Sequence, residues 1–170
     1  PPLRANPTGP QIYWLGSRPD LLADRRGAGD DALITRIEAA IHAYPYPSSY
    51  RTWPGPNSNT FTAYVGRAVP ELRLDLPATA NGKDFIPGGV PVACTPSGTG
   101  VQLSLFGLLG VLAGAEEGLE LNVLGLTFGL DVKRPALKLP VAGRLGWSQR
   151  PEPAVPDQAV SVPSRASRSE

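Results

Sequence analysis

The sequence is short of the side chains on which much protein chemistry depends. It has one cysteine, Cys94, so no disulfide can close within the chain, and one histidine, His42. One His and one Cys make no metal site unless several carboxylates converge on them, so no metal is expected. Methionine is absent, and charged residues make up only 18% of the chain. The 16 basic and 15 acidic residues nearly cancel, and only Arg25-Arg26 and Lys133-Arg134 set two cations side by side. That excludes the basic footprint a nucleic-acid partner requires. The longest apolar run, Leu103 to Ala113, is interrupted by Ser104, Gly107 and Gly110, and is too short to be a transmembrane helix. The glycines of Pro96-Ser97-Gly98-Thr99-Gly100 fit neither a phosphate loop nor a dinucleotide fingerprint, so no cofactor is expected.

Proline (20) and glycine (19) are abundant, which favours short elements joined by fixed turns. Hydrophobic residues make up 41%, a globular composition, and 170 residues suit one domain with a tail. We place that domain over residues 1–147 and read 148–170, rich in proline, serine and charge, as a disordered tail.

Gln11 to Leu15 is extended in pattern. A helix is expected from Asp30-Asp31, whose charges suit a helix start, to a stop at Pro45. Its apolar stripe is Leu33, Ile37, Ala40, Ile41 and Tyr44, with Glu38 and His42 on a polar face. Four prolines make Tyr44 to Pro56 rigid, and a second helix is expected from about Asn59 to Val69. Leu72, Leu74 and Leu76 suggest a short half-buried strand. The longest strands are expected at 101–112 and 119–132, joined by a loop over Ala113 to Gly118. A phase slip at Gly125 predicts a bulge or a change of face, and Ala136–Leu139 an edge strand. The fold class is α+β: two helices packed on a small antiparallel sheet with a long C-terminal hairpin.

The densest run of special residues is Trp53 to Phe61. Asn57-Ser58-Asn59-Thr60 stand at a helix start, where one side chain caps the helix. The same unpaired N–H groups suit an anion or an activated nucleophile. Ser58 is the candidate nucleophile and requires a base, with Asn57 and Asn59 as polar supports. Gly82-Lys83-Asp84-Phe85 is either a surface turn or brings Asp84, as an orienting carboxylate, and Lys83 into the Ser58 site. Tyr50 and Trp53, with Asn59, Thr60 and Lys83, form a candidate ligand-binding set. Asp75, Glu116 and Glu117 read as solvated, and Cys94 as a small buried hydrophobe.

Tyr44-Pro45-Tyr46 and Tyr50-Arg51-Thr52-Trp53-Pro54-Gly55-Pro56-Asn57-Ser58-Asn59-Thr60-Phe61 resemble the signature of a bacterial family of unknown function, DUF3750. The resemblance continues through Val69-Pro70-Glu71-Leu72, Gly82-Lys83-Asp84-Phe85 and Gly143-Arg144-Leu145-Gly146, about residues 4 to 147. Asn57 to Phe61 is also similar to the Asn-Cys-x-x-Phe nucleophile helix of permuted papain-like amidases and acyltransferases. The similarity implies a papain-like fold and a hydrolase with Ser58 in the cysteine's place, active or degenerate. It also implies a catalytic histidine on a strand before the nucleophile, as in a His-Trp pair; no such histidine is present here, so either an N-terminal strand is missing ahead of Pro1 or the chain is not an enzyme. The competing class is a non-catalytic binding module for a carbohydrate, peptide or anionic ligand. A small molecule or cell-envelope component is the expected partner, in a cytoplasmic or envelope-associated bacterial protein.

Overall fold

The computed structural model describes Leu22, Gly27 and residues 29–146, so the extended candidate at Gln11–Leu15 and the tail over 148–170 lie outside the described residues. Helix α1 (Asp30–His42) starts behind Gly29, and helix α2 (Ser58–Ala68) behind Asn57. Both helices fall where the apolar periodicity puts them. They meet through a ring cluster: the buried Tyr44 lies edge-on to Phe61 at 5.1 Å and to Tyr64 at 5.3 Å. Burial, reinforced by neighbouring Tyr46, pushes the Tyr44 phenol up to about 12.

Seven strands follow: β1 (Val92–Cys94), β2 (Gly100–Leu105), β3 (Leu109–Gly114), β4 (Gly118–Val123), β5 (Leu126–Asp131), β6 (Ala136–Leu139) and β7 (Gly143–Gly146). They pair antiparallel in chain order, each with its sequence neighbour. The α+β class therefore holds, and Ala136–Leu139 is a strand as expected, but an interior one, because β7 pairs along its outer side. Each long run, however, is a hairpin. The chain reverses at Phe106-Gly107 (φ 53° and 74°) and again at Leu124-Gly125 (φ 54° and 85°). Consecutive positive φ values give the mirror-image turn that matches strand twist, so the slip at Gly125 is a reversal, with no bulge. The segment around Leu72–Leu76 is no strand: Pro70–Leu72 form a 3₁₀ turn, and Leu76 joins Ala63, Ala80 and Leu22 in the small apolar core.

The register fixes which side chains share a face. One row runs through Val101, Ala113, Leu119, Leu130, Leu137 and Leu145, a second through Val92, Leu103, Val111, Leu121 and Phe128. These rows are solvent-exposed, Leu121 at 50%. The opposite rows hold Gln102, Ser104, Glu120, Asn122, Thr127 and Lys138, all buried, and bonded mainly to Asp75, Lys83 and Asp84 and to Arg67 of α2. The sheet is thus inverted: its polar face is covered and its apolar face is bare. Cys94 belongs to the outward set, paired with Val101, and is exposed, contrary to the expected burial.

Asp131 closes the β5 end of the sheet. Its carboxylate accepts from the Arg134 amide at 2.9 Å and from Arg144 of β7 at 2.6 Å. Burial acts to raise its pKa, but the Arg134 amide and the Arg144 guanidinium outweigh it and hold the carboxyl below its ordinary value. Its contribution is therefore full above the unfolded pKa of about 3.9 and is lost as pH falls through the lower folded value. Asp131→Asn is expected to lower stability at neutral pH and to flatten the acid limb, read as urea midpoints between pH 7 and pH 2. An acid limb as steep as that of the unaltered chain would refute this.

Candidate functional site

Two turns of chain meet at the start of α2. Ahead of it the Trp53–Pro54 and Gly55–Pro56 peptides are cis, and the Arg51 amide donates to Pro56 O at 2.7 Å, closing the loop. Asn57 Oδ1 accepts from the amides of Asn59 (3.0 Å) and Thr60 (3.1 Å). Thr60 Oγ1 accepts from the Asn57 amide at 3.1 Å, which completes a reciprocal capping box. Asn57 Nδ2 donates to Thr52 O and Asn81 O, and Thr60 Oγ1 donates to Gly82 O at 2.7 Å. Asn59 Nδ2 also donates to Asn81 O, at 2.8 Å. Gly82 (φ 95°) must be glycine here, because a Cβ would overlap the Asn57 amide. The first turn of α2 is thereby fastened to the 81–82 turn.

Ser58 is exposed beside this lock. Its carbonyl accepts from Thr62 Oγ1, and its own hydroxyl has no hydrogen-bond partner among the described residues. His42 ends α1, with no bond to Ser58. Tyr50 and Trp53 are exposed, and Trp53 Nε1 donates to Leu124 O at 3.1 Å, laying the indole against Gly125 of the β4–β5 turn. Tyr46 is tied to the Gly88 amide and stacked edge-on to Phe85.

Lys83 and Asp84 turn the other way, into the sheet. Asp84 Oδ1 accepts from Gln102 Nε2 at 2.6 Å and Oδ2 from Thr127 Oγ1 at 3.2 Å. Lys83, 2% exposed, pairs with Glu120 and lies 3.9 Å from Asp84. Burial acts to lower the Lys83 ammonium, but Asp84 and Glu120 more than offset it, and its pKa rises. Lys138 Nζ reaches Asp75 Oδ1 (2.7 Å), Glu117 O (2.8 Å) and Glu120 Oε1 (2.9 Å), using all three donors. Burial raises the Asp75 pKa, with Lys138 opposing. Arg67 of α2 spans to Gln102 Oε1 and Cys94 O, and burial depresses its guanidinium to about 10 against the pull of Asp84.

The structure therefore brings Asn57, Asn59, Thr60 and the 81–82 turn together, and joins Lys83 and Asp84 to a separate buried ionic layer. Lys83-Asp84 is no surface turn. Asp75 and Glu117 are likewise not solvated: Glu117 is 1% exposed and accepts from Ser97 N and Oγ. Arg67, Gln102, Glu120, Thr127 and Lys138 were not singled out by the sequence. For Gln102 and Glu120 the one signal there is that polar residues alternate with leucines in β2 and β4.

Among the described residues no helix is long and apolar enough to cross a membrane. No curated protein and no solved structure is significantly similar to the chain. A family model described as a protein of unknown function (DUF3750) matches residues 1–85, which hold both helices, the capping box and Lys83-Asp84. That is half of the 170 residues. The chain belongs to the DUF3750 family of proteins of unknown function.

Proposed function

We propose that the chain is a non-catalytic binding module that docks through the outer face of its sheet, with Trp53 and Tyr50 as a candidate rim. One observation carries this reading: no outward-facing strand position among the described residues bears a charge, while Glu120, Asp131 and Lys138 are buried on the covered face. A one-sided antiparallel sheet ordinarily turns its apolar face to the core and its polar face to water. Contiguous apolar surface on this scale marks an interaction site.

In this reading Ser58 is the remnant of a nucleophile position. A serine hydroxyl needs a base within hydrogen-bonding reach, and Asn57 and Thr60 spend their polar atoms on the cap and the 81–82 turn. The papain-like hydrolase reading, with Ser58 as nucleophile and Asn57 and Asp84 in support, makes the opposite prediction for a serine-directed fluorophosphonate. The full chain should stay unlabelled; labelling that Ser58→Ala abolishes would establish the hydrolase instead. The docking surface is checked with Leu103→Lys/Leu121→Lys. The unaltered chain should either associate or take up an apolar dye such as bis-ANS, and the double variant should do neither while keeping its circular dichroism. An unaltered chain that shows neither property would sink the docking reading.

A further inference from the structure

We infer that the occupant of the outer sheet face is a second copy of this chain, seated face to face in a two-fold symmetric dimer. The inference rests on the docking reading above and goes beyond it by naming the partner. Strands about 4.8 Å apart and about 3.4 Å per residue give this sheet roughly 500–600 Å² of flat area. Side-chain relief enlarges it, so two such faces together remove about 1,200 Å² or more from water, the area a stable, specific interface needs. As a patch on a monomer it sits at or above the usual upper limit of about 600 Å².

The shape and chemistry fit a copy of itself. The outward rows are aliphatic apart from Phe128 and Cys94, with shallow hollows beside Leu103 and Val111 and beside Ala113 and Leu119. Two sheets stack about 10 Å apart when such side chains interdigitate. Identical faces meet isologously, which puts Leu121, the middle outward residue of the middle strand, near the two-fold axis.

A lipid surface fits less well. Surface binding to lipid draws on free cations and interfacial aromatics. Tyr50 and Trp53 supply exposed aromatics with Arg51 between them, but Arg73 and Lys133 are paired with Glu116, and Arg144 with Asp131, so among the described residues no cluster of free cations borders the face.

The test is sedimentation equilibrium of the full chain at micromolar concentration, with and without neutral phosphatidylcholine vesicles. The expected mass is twice the 17.9 kDa of one chain. Leu121→Lys should halve it with circular dichroism unchanged, while Leu121→Ile and the off-face Ile34→Lys retain it. Cys94, on the outward set, should react with a disulfide reagent about tenfold faster in Leu121→Lys, its thiol being freed from the interface. A single-chain mass for the unaltered protein, or a two-chain mass for a folded Leu121→Lys, overturns the dimer. If that single chain floats with the vesicles, lipid is the occupant and the docking reading stands. If it neither associates, floats nor takes up bis-ANS, both fall.

Discussion

Replacing Lys83 with methionine is expected to destabilise the domain by about 3–5 kcal/mol, because it strips a buried carboxylate of one of its two ammonium partners. Lys83 is 2% exposed and bonded to Glu120, which is as deeply buried. Methionine preserves most of the side-chain length, so the loss is one of charge more than of volume. Glu120 keeps Lys138, and Asp84 keeps Gln102 and Thr127, which holds the loss within that range. The companion variant Lys83→Met/Glu120→Leu removes both charges, and is expected to lose less than the single change, since a buried pair exchanged for apolar groups is often close to neutral. Lys138 then still has Asp75 and the Glu117 carbonyl. Urea unfolding at one fixed chain concentration decides the matter, because association alters apparent stability. A single variant within about 1 kcal/mol of the parent would mean that water reaches the layer and screens it.

Asn57→Ala is the second large effect, at about 2–3 kcal/mol. The cap alone accounts for about 1 kcal/mol. The remainder comes mainly from Thr52 O, which loses the Nδ2 donor in a half-buried setting at about 1 kcal/mol or more, while Asn81 O loses one donor and keeps Asn59 Nδ2. Asn57→Asp separates the two roles. Aspartate caps helices as well as asparagine does, so a residue that only capped would tolerate it. Here it would set a carboxylate oxygen against two carbonyls, and stability should fall at least as far as with alanine. Ser58→Ala, one residue on and exposed, should stay within about 0.5 kcal/mol. Thermal melts of the three variants give the order, and a benign Asn57→Asp would reduce the tie to the 81–82 turn to an incidental contact.

The helices were legible because a 3.6-residue stripe carries its own period, and α2 begins at Ser58, one residue before the expected start. The strands were legible as alternation. Alternation, however, is symmetric between two faces, and nothing local says which face the helices will cover. The position of the hairpin turns was hidden for a related reason: Phe106 and Leu124 occupy positive φ, where asparagine or glycine is the usual signal. Asp75 and Glu117 looked solvated because single charged residues ordinarily are, and Lys83 was open between a surface turn and the Ser58 site. Their partners are distant in sequence, Lys138 lying 63 positions from Asp75 and Glu120 lying 37 from Lys83. At the α2 start the residue types announced the cap. That Asp84 would face away from Ser58 depends on the sheet beneath it.

The pairing of every strand with its chain neighbour also orders the folding of the molecule. Each hairpin closes a loop of a few residues, whereas Arg67 must find Gln102 across 35 positions and Lys138 must find Asp75 across 63. Closure grows more costly with loop length, so the meander zips before the helical layer is fastened to it. In that interval the leucine rows are already assembled while the stabilising ionic layer is not. Refolding yield should consequently depend on chain concentration: dilute chains complete the helical layer first, and crowded ones meet through their unfinished sheets.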